Sequence, residues 1–415
     1  MVSEKRVPEE QVDIVIAGGG MAGGLLAAAL RDSGLRIVVL DAAPIPTMPD
    51  GEPEQRVSAL TEASMQMLAN VGAWQRMPTQ RLAPYQHMDV WDGNGSGRVT
   101  FSAHEARADQ LGWIVENRLV TAALYQACAD AVDWRAQRTL VNAQRTPDGW
   151  QLECDNGDIL HAGLLVGADG ARSAVRSYAG IAAAPKDSGH IAVVAPVRTE
   201  IKHGACARQV FLESGPVALL PLYGDGHLSS LVWSAPPALA QHLMSLDDDA
   251  FAAALTHASE NVLGRCELAG RRGAFPIHTV HASEYIGHHL ALIGDAAHVV
   301  HPLAGQGINL GFLDAGVLAE EILRAQQRGV VISDATVLAR YQRRRRAHNA
   351  LMLNALNGIK TFFGQRDPAL VFLRNTGMRL VNRLAPVKSL LAAEALGRHG
   401  DLPSLARAPI RQEEH

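Results

Sequence analysis

Cysteine is scarce in this chain: four residues in 415, Cys128, Cys154, Cys206 and Cys266. They form no CxxC pair and no ligand-like spacing, which excludes a zinc-finger or disulfide-framed architecture and predicts reduced, buried thiols. Long hydrophobic runs are missing too. No stretch reaches the ~18 uncharged apolar residues of a membrane span, and Met1 to Gln11 lacks the apolar centre of a signal peptide. A cytoplasmic protein is expected, at most peripheral to the inner face of a membrane. There is no strong charge bias either. A formal net charge of -4 without a basic stripe gives no reason to expect a nucleic-acid partner. Internal repeats and low-complexity tracts are absent.

What is present is a globular composition, 47% hydrophobic and 19% charged. The length exceeds the roughly 250 to 300 residues at which single cores stop growing, so two lobes are expected.

Val12 to Ala17 (VDIVIA) reads as a buried parallel strand, followed by glycines, a helical stretch to Arg31 and a second β-branched run, Arg36 to Leu40. This is a βαβ opening. Helical spacing returns over Arg56 to Gly72 and Asn117 to Ala131, with a strand pair around Met88 to Trp91 and Arg98 to Phe101. From Ile191 to Ile277 the period shifts towards two, the mark of a sheet-based second lobe. Leu290 to Gly294 reads as a return to the first lobe, and helices are expected from Gly307 to Arg328, Asp334 to Phe363 and Leu370 to Leu391. The expected division is a discontinuous nucleotide lobe (1–75, 106–181 and 281–345), a substrate-binding sheet lobe (76–105 and 182–280), C-terminal helices (346–400) and a loose tail (401–415).

In Gly18-Gly19-Gly20-Met21-Ala22-Gly23 the first glycine permits a tight turn. The second lets the backbone approach a pyrophosphate, and the third lets helix pack on strand. Amides at the helix start, Met21 and Ala22 among them, face the phosphates. Asp41 ends the next strand, 18 residues after Gly23, where a carboxylate accepts from both ribose hydroxyls. An acid there disfavours a 2′-phosphate, leaving FAD or NAD as the tight ligand. Further on, LALIGDAAH places Asp295 just beyond a strand, suited to a cofactor polyol or to capping a helix. Then comes His301-Pro302-Leu303-Ala304-Gly305-Gln306-Gly307-Ile308-Asn309, a turn leading into a helix whose first amides and positive dipole end are free to stabilise negative charge.

LALIGDAAH...HPLAGQGINLGFLDA resembles the flavin-contact segment of the class A flavoprotein aromatic monooxygenases, and LVGADGARSAVR, Leu165 to Arg176, resembles their third motif. The likeness narrows to the FAD-dependent hydroxylases of ubiquinone biosynthesis through RVSALTEASMQMLANVGAW from Arg56, LGWIVENRLVTAAL from Leu111 and HPLAGQG. Within these, MDVWDGNGSGRVTF, ARQVFLESGPVALLPL and ALGRHGDLP look most like the 2-polyprenylphenol (C5) branch. The resemblance covers nearly the whole chain.

It implies an α/β fold like para-hydroxybenzoate hydroxylase: a Rossmann-like FAD lobe, a sheet-based substrate lobe and C-terminal helices. FAD is then bound by Gly18, Gly20, Met21, Ala22, Gly23, Asp41, Arg56, Asn117, Asp169, Asp295, Gly307, Ile308 and Asn309. Many relatives carry arginine or glutamine where this chain has Asn117. Arg172 and Arg176 are candidates for phosphates or for the nicotinamide cofactor. His301, Pro302, Gly305, Gln306 and Gly307 form the flavin-ring environment.

The implied reaction is hydroxylation of a polyprenylphenol at C5, with C1 or C6 as alternatives, using transient NAD(P)H and O2 through a flavin C4a-hydroperoxide. No acid, base or nucleophile is legible, and Phe211, Leu219, Pro221 and Trp233 are candidates for the substrate pocket. A flavoprotein scaffold of a quinone-biosynthesis complex is the reading from another class, and homo-oligomerisation stays open. Asp295, His298 and His301 have metal-like spacing, but Pro302 and the glycines break the helix that would align them, so no metal is assigned. Arg343 to Arg346 read as a solvated face. The apolar helices beyond it fit a membrane-surface or partner-docking element.

Overall fold

The computed structural model describes residues 9–93, 95–300, 307–363, 367–384, 388, 396–398 and 400–407. Among these, the first lobe is an eight-stranded sheet. Its central order is Ile286–Gly287, Leu290–Leu292, Ile159–Gly167, Glu9–Ala17, Ile37–Asp41 and Asp133–Ala136, with Gly149–Cys154 and Leu140–Thr146 as a hairpin on Ile159–Gly167. The strand Glu9–Ala17 lies parallel to both neighbours, pairing Ile16 with Val166 on one side and Val39 on the other. Covered on both faces, it carries β-branched residues at consecutive positions: Ile14, Val15 and Ile16 are all inaccessible to solvent. Helices Met21–Leu30, Asn117–Cys128 and Gly307–Gln327 pack here, the second within the stretch Asn117 to Ala131 where the spacing predicted a helix.

Arg56 to Gly72 is not one helix. Val57–Leu60 is a strand paired antiparallel with Gly112–Glu116, and a separate helix, Glu62–Asn70, begins after Thr61, whose hydroxyl accepts the Ser64 N–H. The partner strand, distant in sequence, overrides the local helical spacing.

The second lobe is a nine-stranded sheet in the order His298–Val299, Gly273–His281, Lys186–Thr199, Leu228–Ala235, Gly215–Pro221, Cys206–Leu212, His87–Asp92 and Arg98–Ser102, with Cys266–Leu268 beside Lys186–Thr199. The expected strand pair is present, Met88 opposite Phe101. Alternation divides the side chains between two faces. Val193, Val217, Leu219, Leu231 and Trp233 pack into a core with Phe251 and Leu255 of helix Asp248–Ala258. The intervening residues Ala192, Val194, Ala218 and Val232 lie on the opposite face.

The long helix Ala335–Phe363 docks on the returning strand through the Tyr341 hydroxyl, which donates to the Leu292 carbonyl at 2.6 Å. The arginine run is a solvated face only in part, with Arg343 exposed. Arg345 is 2% exposed and bonded to Asp314, and Arg344 pairs with Asp401, Glu320 and Glu321. Pro368–Arg383 forms the next helix; most of the expected continuation to Leu391 lies outside the described residues. Residues 401–407, expected to be loose, instead pack down: Ala406 is buried, Leu402 and Leu405 join the first-lobe core, and Asn70 donates to the carbonyls of Leu405 and Arg407. All four cysteines are buried and unpaired.

Candidate nucleotide site and interlobe cleft

The three glycines of the first turn do different work. Gly18 has φ 105°, donates its N–H to the Leu40 carbonyl at 2.8 Å, and a Cβ there would meet the Ala168 carbonyl oxygen at 2.3 Å. At Gly23 a Cβ would lie 1.9 Å from the Gly18 oxygen, so helix and turn are in backbone contact. Gly20 is different: it is exposed, has nothing within 4 Å of an added Cβ, and caps the helix with no side-chain bond. No acidic residue stands in that first turn. The result is an open concavity floored by unpaired amides, fit for a pyrophosphate. Gly19 donates to Asp41 Oδ2 at 2.7 Å and Ala43 to Oδ1 at 2.8 Å. Each carboxylate oxygen has a second lone pair for a ribose hydroxyl. Met21 and Ala22 pack on the core, and Ala22 stands where the turn at Gly294 and the helix at Gly311 meet the first helix: a Cβ at Gly294 would be 3.1 Å from Ala22 Cβ.

Asp295 sits in the turn Gly294–Ala296, beyond the strand Leu290–Leu292. Its side chain is accessible and has no hydrogen bond among the described residues. Desolvation there raises its pKa, against the opposing pull of His298 and Arg56. An accessible carboxylate that the protein surrounds but does not bond is placed for a ligand hydroxyl. Arg56 stacks on Phe275 of the second lobe, 5.4 Å from the ring centre, and its carbonyl accepts from Asn117 N–H at 3.0 Å. The Asn117 side-chain oxygen accepts from Ser58 at 2.7 Å, so two first-lobe segments converge with Phe275 at the cleft.

Three of the expected contact residues also bond within the protein. The Asp169 carboxylate accepts from the Ser173 hydroxyl and from Val175 N–H, and so shapes the turn beside Gly18. The Arg176 guanidinium donates to the carbonyls of Ala296 (2.8 Å) and Ala171 (2.9 Å), which leaves Arg172, exposed, as the more available cation. The Asn309 amide bonds Thr61 N–H, the Ser64 hydroxyl and the Ala59 carbonyl, pinning its helix to the Val57–Asn70 segment. Gly307 and Ile308 are half-buried and open that helix, whose first amides lack intrahelical partners. His301, Pro302, Gly305 and Gln306 lie outside the described residues.

The second-lobe face on the side of Phe275, which meets Arg56 of the first lobe, carries Ala192, Val194, Ile277 and Val232, with Ala218 opposite Val232. None of these is charged. Phe211, opposite Pro216, packs with Val300, Leu310 and Leu353 where the lobes meet, and its ring stacks on Phe363 at 3.9 Å. Of the four pocket candidates, Phe211 therefore borders the cleft, whereas Leu219 and Trp233 point into the helix-covered core. Pro221 shares their side of its strand by alternation.

Sequence reasoning missed a buried network beneath Asp295. Asp314, with no accessible surface, accepts from His298 Nε2 (2.5 Å), Arg345 Nε (2.8 Å), Asn349 Nδ2 (3.0 Å) and Gly294 N–H (3.1 Å). Burial alone pushes its pKa up, but His298 and Arg345 more than reverse this and hold it at about 2. An aspartate inside the apolar run GINLGFLDAGVLA was the available signal.

Residues 11–355 match the FAD binding domain family. The chain is 35% identical to the 3-demethoxyubiquinol 3-hydroxylase of Escherichia coli (strain K12), over 94% of this chain and 99% of the relative. It is 34% identical to the ubiquinone hydroxylase UbiL of Rhodospirillum rubrum, over 94% and 90%. Among solved structures it is similar to p-nitrophenol 4-monooxygenase of Pseudomonas putida DLL-E4, with TM-score 0.75 at 21% identity over 93% and 98% of the two chains.

Proposed function

Because this chain belongs to the FAD binding domain family, and within it to the FAD-dependent hydroxylases of ubiquinone biosynthesis, we propose that it adds a hydroxyl to the ring of a polyprenylphenol at position C5, using NAD(P)H and O2. When bound, FAD supplies reduction by the nicotinamide and activation of oxygen. The chain's own residues bind, orient and exclude water. Gly20 and the adjoining amides would hold the pyrophosphate, Asp41 the adenosine ribose, Asp295 the polyol, and the helix start at Gly307 the electron-rich edge of the ring.

The observation that supports the substrate reading is the charge-free face of Ala192, Val194, Val232 and Ile277, on the same side of the sheet as Phe275, which meets Arg56 of the first lobe. Phe211, Met352, Leu353 and Phe363 extend it as an apolar wall. Such a surface favours a flat ring with a hydrocarbon tail and keeps water from the reacting centre.

The proposed division of labour places the glycine turn and Asp295 in one lobe and the sheet face in the other. A second reading, hydroxylation at C1 or C6 in the same pathway, stands beside it because the Escherichia coli relative is named for a position other than C5, as a 3-demethoxyubiquinol 3-hydroxylase. Complementation of strains blocked at each ring-hydroxylation step, with mass analysis of the accumulated precursors, separates the two. Rescue of the C5 block alone supports the first reading, and rescue of another block alone replaces it.

No described helix is long and apolar enough to cross a membrane. Leu351, Leu380 and Leu384, 67%, 54% and 42% exposed, support peripheral docking of the C-terminal helices on a lipid surface or a partner protein. Flotation with anionic liposomes, comparing the intact chain with Leu351→Glu/Leu380→Glu, tests the lipid arm. Equal flotation of both proteins, or of neither, overturns it.

A further inference from the structure

Residues 396–398 and 400–407 lie along the first lobe, and their contacts fall on the helices that carry the candidate cofactor site. Leu396 is inaccessible to solvent and packs with Tyr85, Leu111 and Ile114. Gly397, with φ 69°, abuts the start of helix Glu62–Asn70: an added Cβ would stand 3.1 Å from Thr61 Oγ1. Arg398 donates to Glu62 in the first turn of that helix at 2.6 Å. At the far end Asn70 donates to the carbonyls of Leu405 and Arg407, at 2.8 and 3.0 Å. Both ends of the helix are thus held by the same segment.

Helix Gly307–Gln327 is held by it too. Gly316 lies near the middle of that helix, and a Cβ there would meet Pro403 Cγ at 2.9 Å and Met67 Sδ at 3.0 Å. The proline ring fills a notch that only glycine leaves open. One turn further on, Glu320 accepts the Ser404 N–H at 2.7 Å. Arg344 of the long helix donates to Glu320 at 3.0 Å and to both oxygens of Asp401, at 2.6 and 3.0 Å.

A rigid ring seated in a notch resists motion along the helix axis, and a close-packed interior passes such a constraint on. The helix start is fixed at a junction the segment also touches. Asn309, two residues from Gly307, bonds Thr61 N–H and the Ser64 hydroxyl, and Thr61 is the residue that Gly397 abuts. An axial shift would move the free amides at Gly307 relative to a flavin edge, and the pull of a helix end on charge fades within one turn.

We propose that 396–398 and 400–407 are a strap that sets the axial position of helix Gly307–Gln327, so that FAD affinity and flavin potential depend on this C-terminal segment. It acts through the helix and is a positioning element. The proposal rests on the reading that the flavin ring meets the helix start at Gly307.

The test uses the full chain. In Gly316→Ala the new methyl expels Pro403 from its notch; Asp401→Asn removes the ion pair with Arg344 and changes no residue proposed to meet FAD. Both variants should keep the wild-type circular dichroism spectrum and bind FAD more weakly, Gly316→Ala about tenfold, the equivalent of one lost hydrogen bond. The midpoint potential of the bound flavin should fall, because reduced flavin loses amides that stabilise its negative charge. Packing alone would move Tm and leave the potential where it is. Wild-type affinity and potential in both variants would overturn the proposal, whatever their Tm. Should Gly316→Ala fail to fold, wild-type affinity and potential in Asp401→Asn alone would overturn it. A wild-type chain that binds no FAD would instead refute the underlying flavin reading.

Discussion

The glycine turn permits a test in which two neighbouring substitutions have opposite consequences. At Gly20 the backbone has φ -67° and ψ -169°, ordinary extended geometry, and an alanine methyl would meet nothing within 4 Å. Loss of glycine from a helix cap costs a few tenths to ~1 kcal/mol, and the stiffer unfolded chain returns about 0.4–1 kcal/mol. Gly20→Ala should therefore leave the apoprotein's stability almost unchanged. The methyl nonetheless occupies the concavity where the pyrophosphate must approach the amides. Loss of one charge-assisted hydrogen bond, about 1.5–3 kcal/mol, weakens FAD binding roughly 10- to 150-fold.

At Gly23 the methyl would fall 1.9 Å from a backbone oxygen. Neither backbone segment can rotate away, so the helix must shift, at about 3 kcal/mol or more. Urea titration of the apoproteins and fluorescence titration with FAD read the two quantities separately. Equal destabilisation by both variants, or wild-type FAD affinity in Gly20→Ala, would refute the reasoning.

Asp295 gives a prediction with a pH sign. Its raised pKa means that the folded chain holds this proton more tightly than the unfolded chain does. The ionised form thus costs stability that is absent in acid and fully developed above the folded pKa. Asp295→Asn should make the apoprotein more resistant to urea at neutral pH but not in acid, while weakening FAD binding; an unchanged flavin content removes Asp295 from the site.

Asp314 has the opposite sign: its stabilisation is complete above the usual 3.8 and is lost as pH falls through about 2. Asp314→Ala strands Arg345 in the core and should cost about 3–5 kcal/mol in a urea melt; a loss under ~1 kcal/mol contradicts the network. Phe211→Ala should raise KM for a prenylated phenol. Trp233→Ala should instead cost about 3–5 kcal/mol of stability, with the activity of the folded fraction retained. Interchanged effects would reverse the assignment of the two sheet faces.

The strand–glycine–helix–strand opening was legible because its signals are local: β-branched residues, three glycines and an acid ending the second strand. The second lobe was legible by its period of two, but not which face of it meets the cleft. Leu219 and Trp233 are large and apolar, and only the helices covering them distinguish core from pocket. Val57–Leu60 was hidden because its partner strand lies more than fifty residues away. That Asp169, Arg176 and Asn309 also bond backbone groups of the protein was not legible, because those partners depend on the folded turn and helix. Arg345, one of four consecutive arginines, becomes part of the buried network only when its helix brings it to Asp314, 31 residues away in sequence.

The central claim is that a bound flavin, reduced from outside, inserts oxygen into a ring lying on the second lobe's apolar face. It is tested most directly by supplying the FAD-loaded protein with NAD(P)H, a short-chain prenylphenol and heavy-isotope O2. The account predicts NAD(P)H consumption coupled to a product with one labelled oxygen on its ring. Bound FAD that NAD(P)H never reduces, or label found only in peroxide and water, would contradict it and favour a flavoprotein whose cofactor is structural.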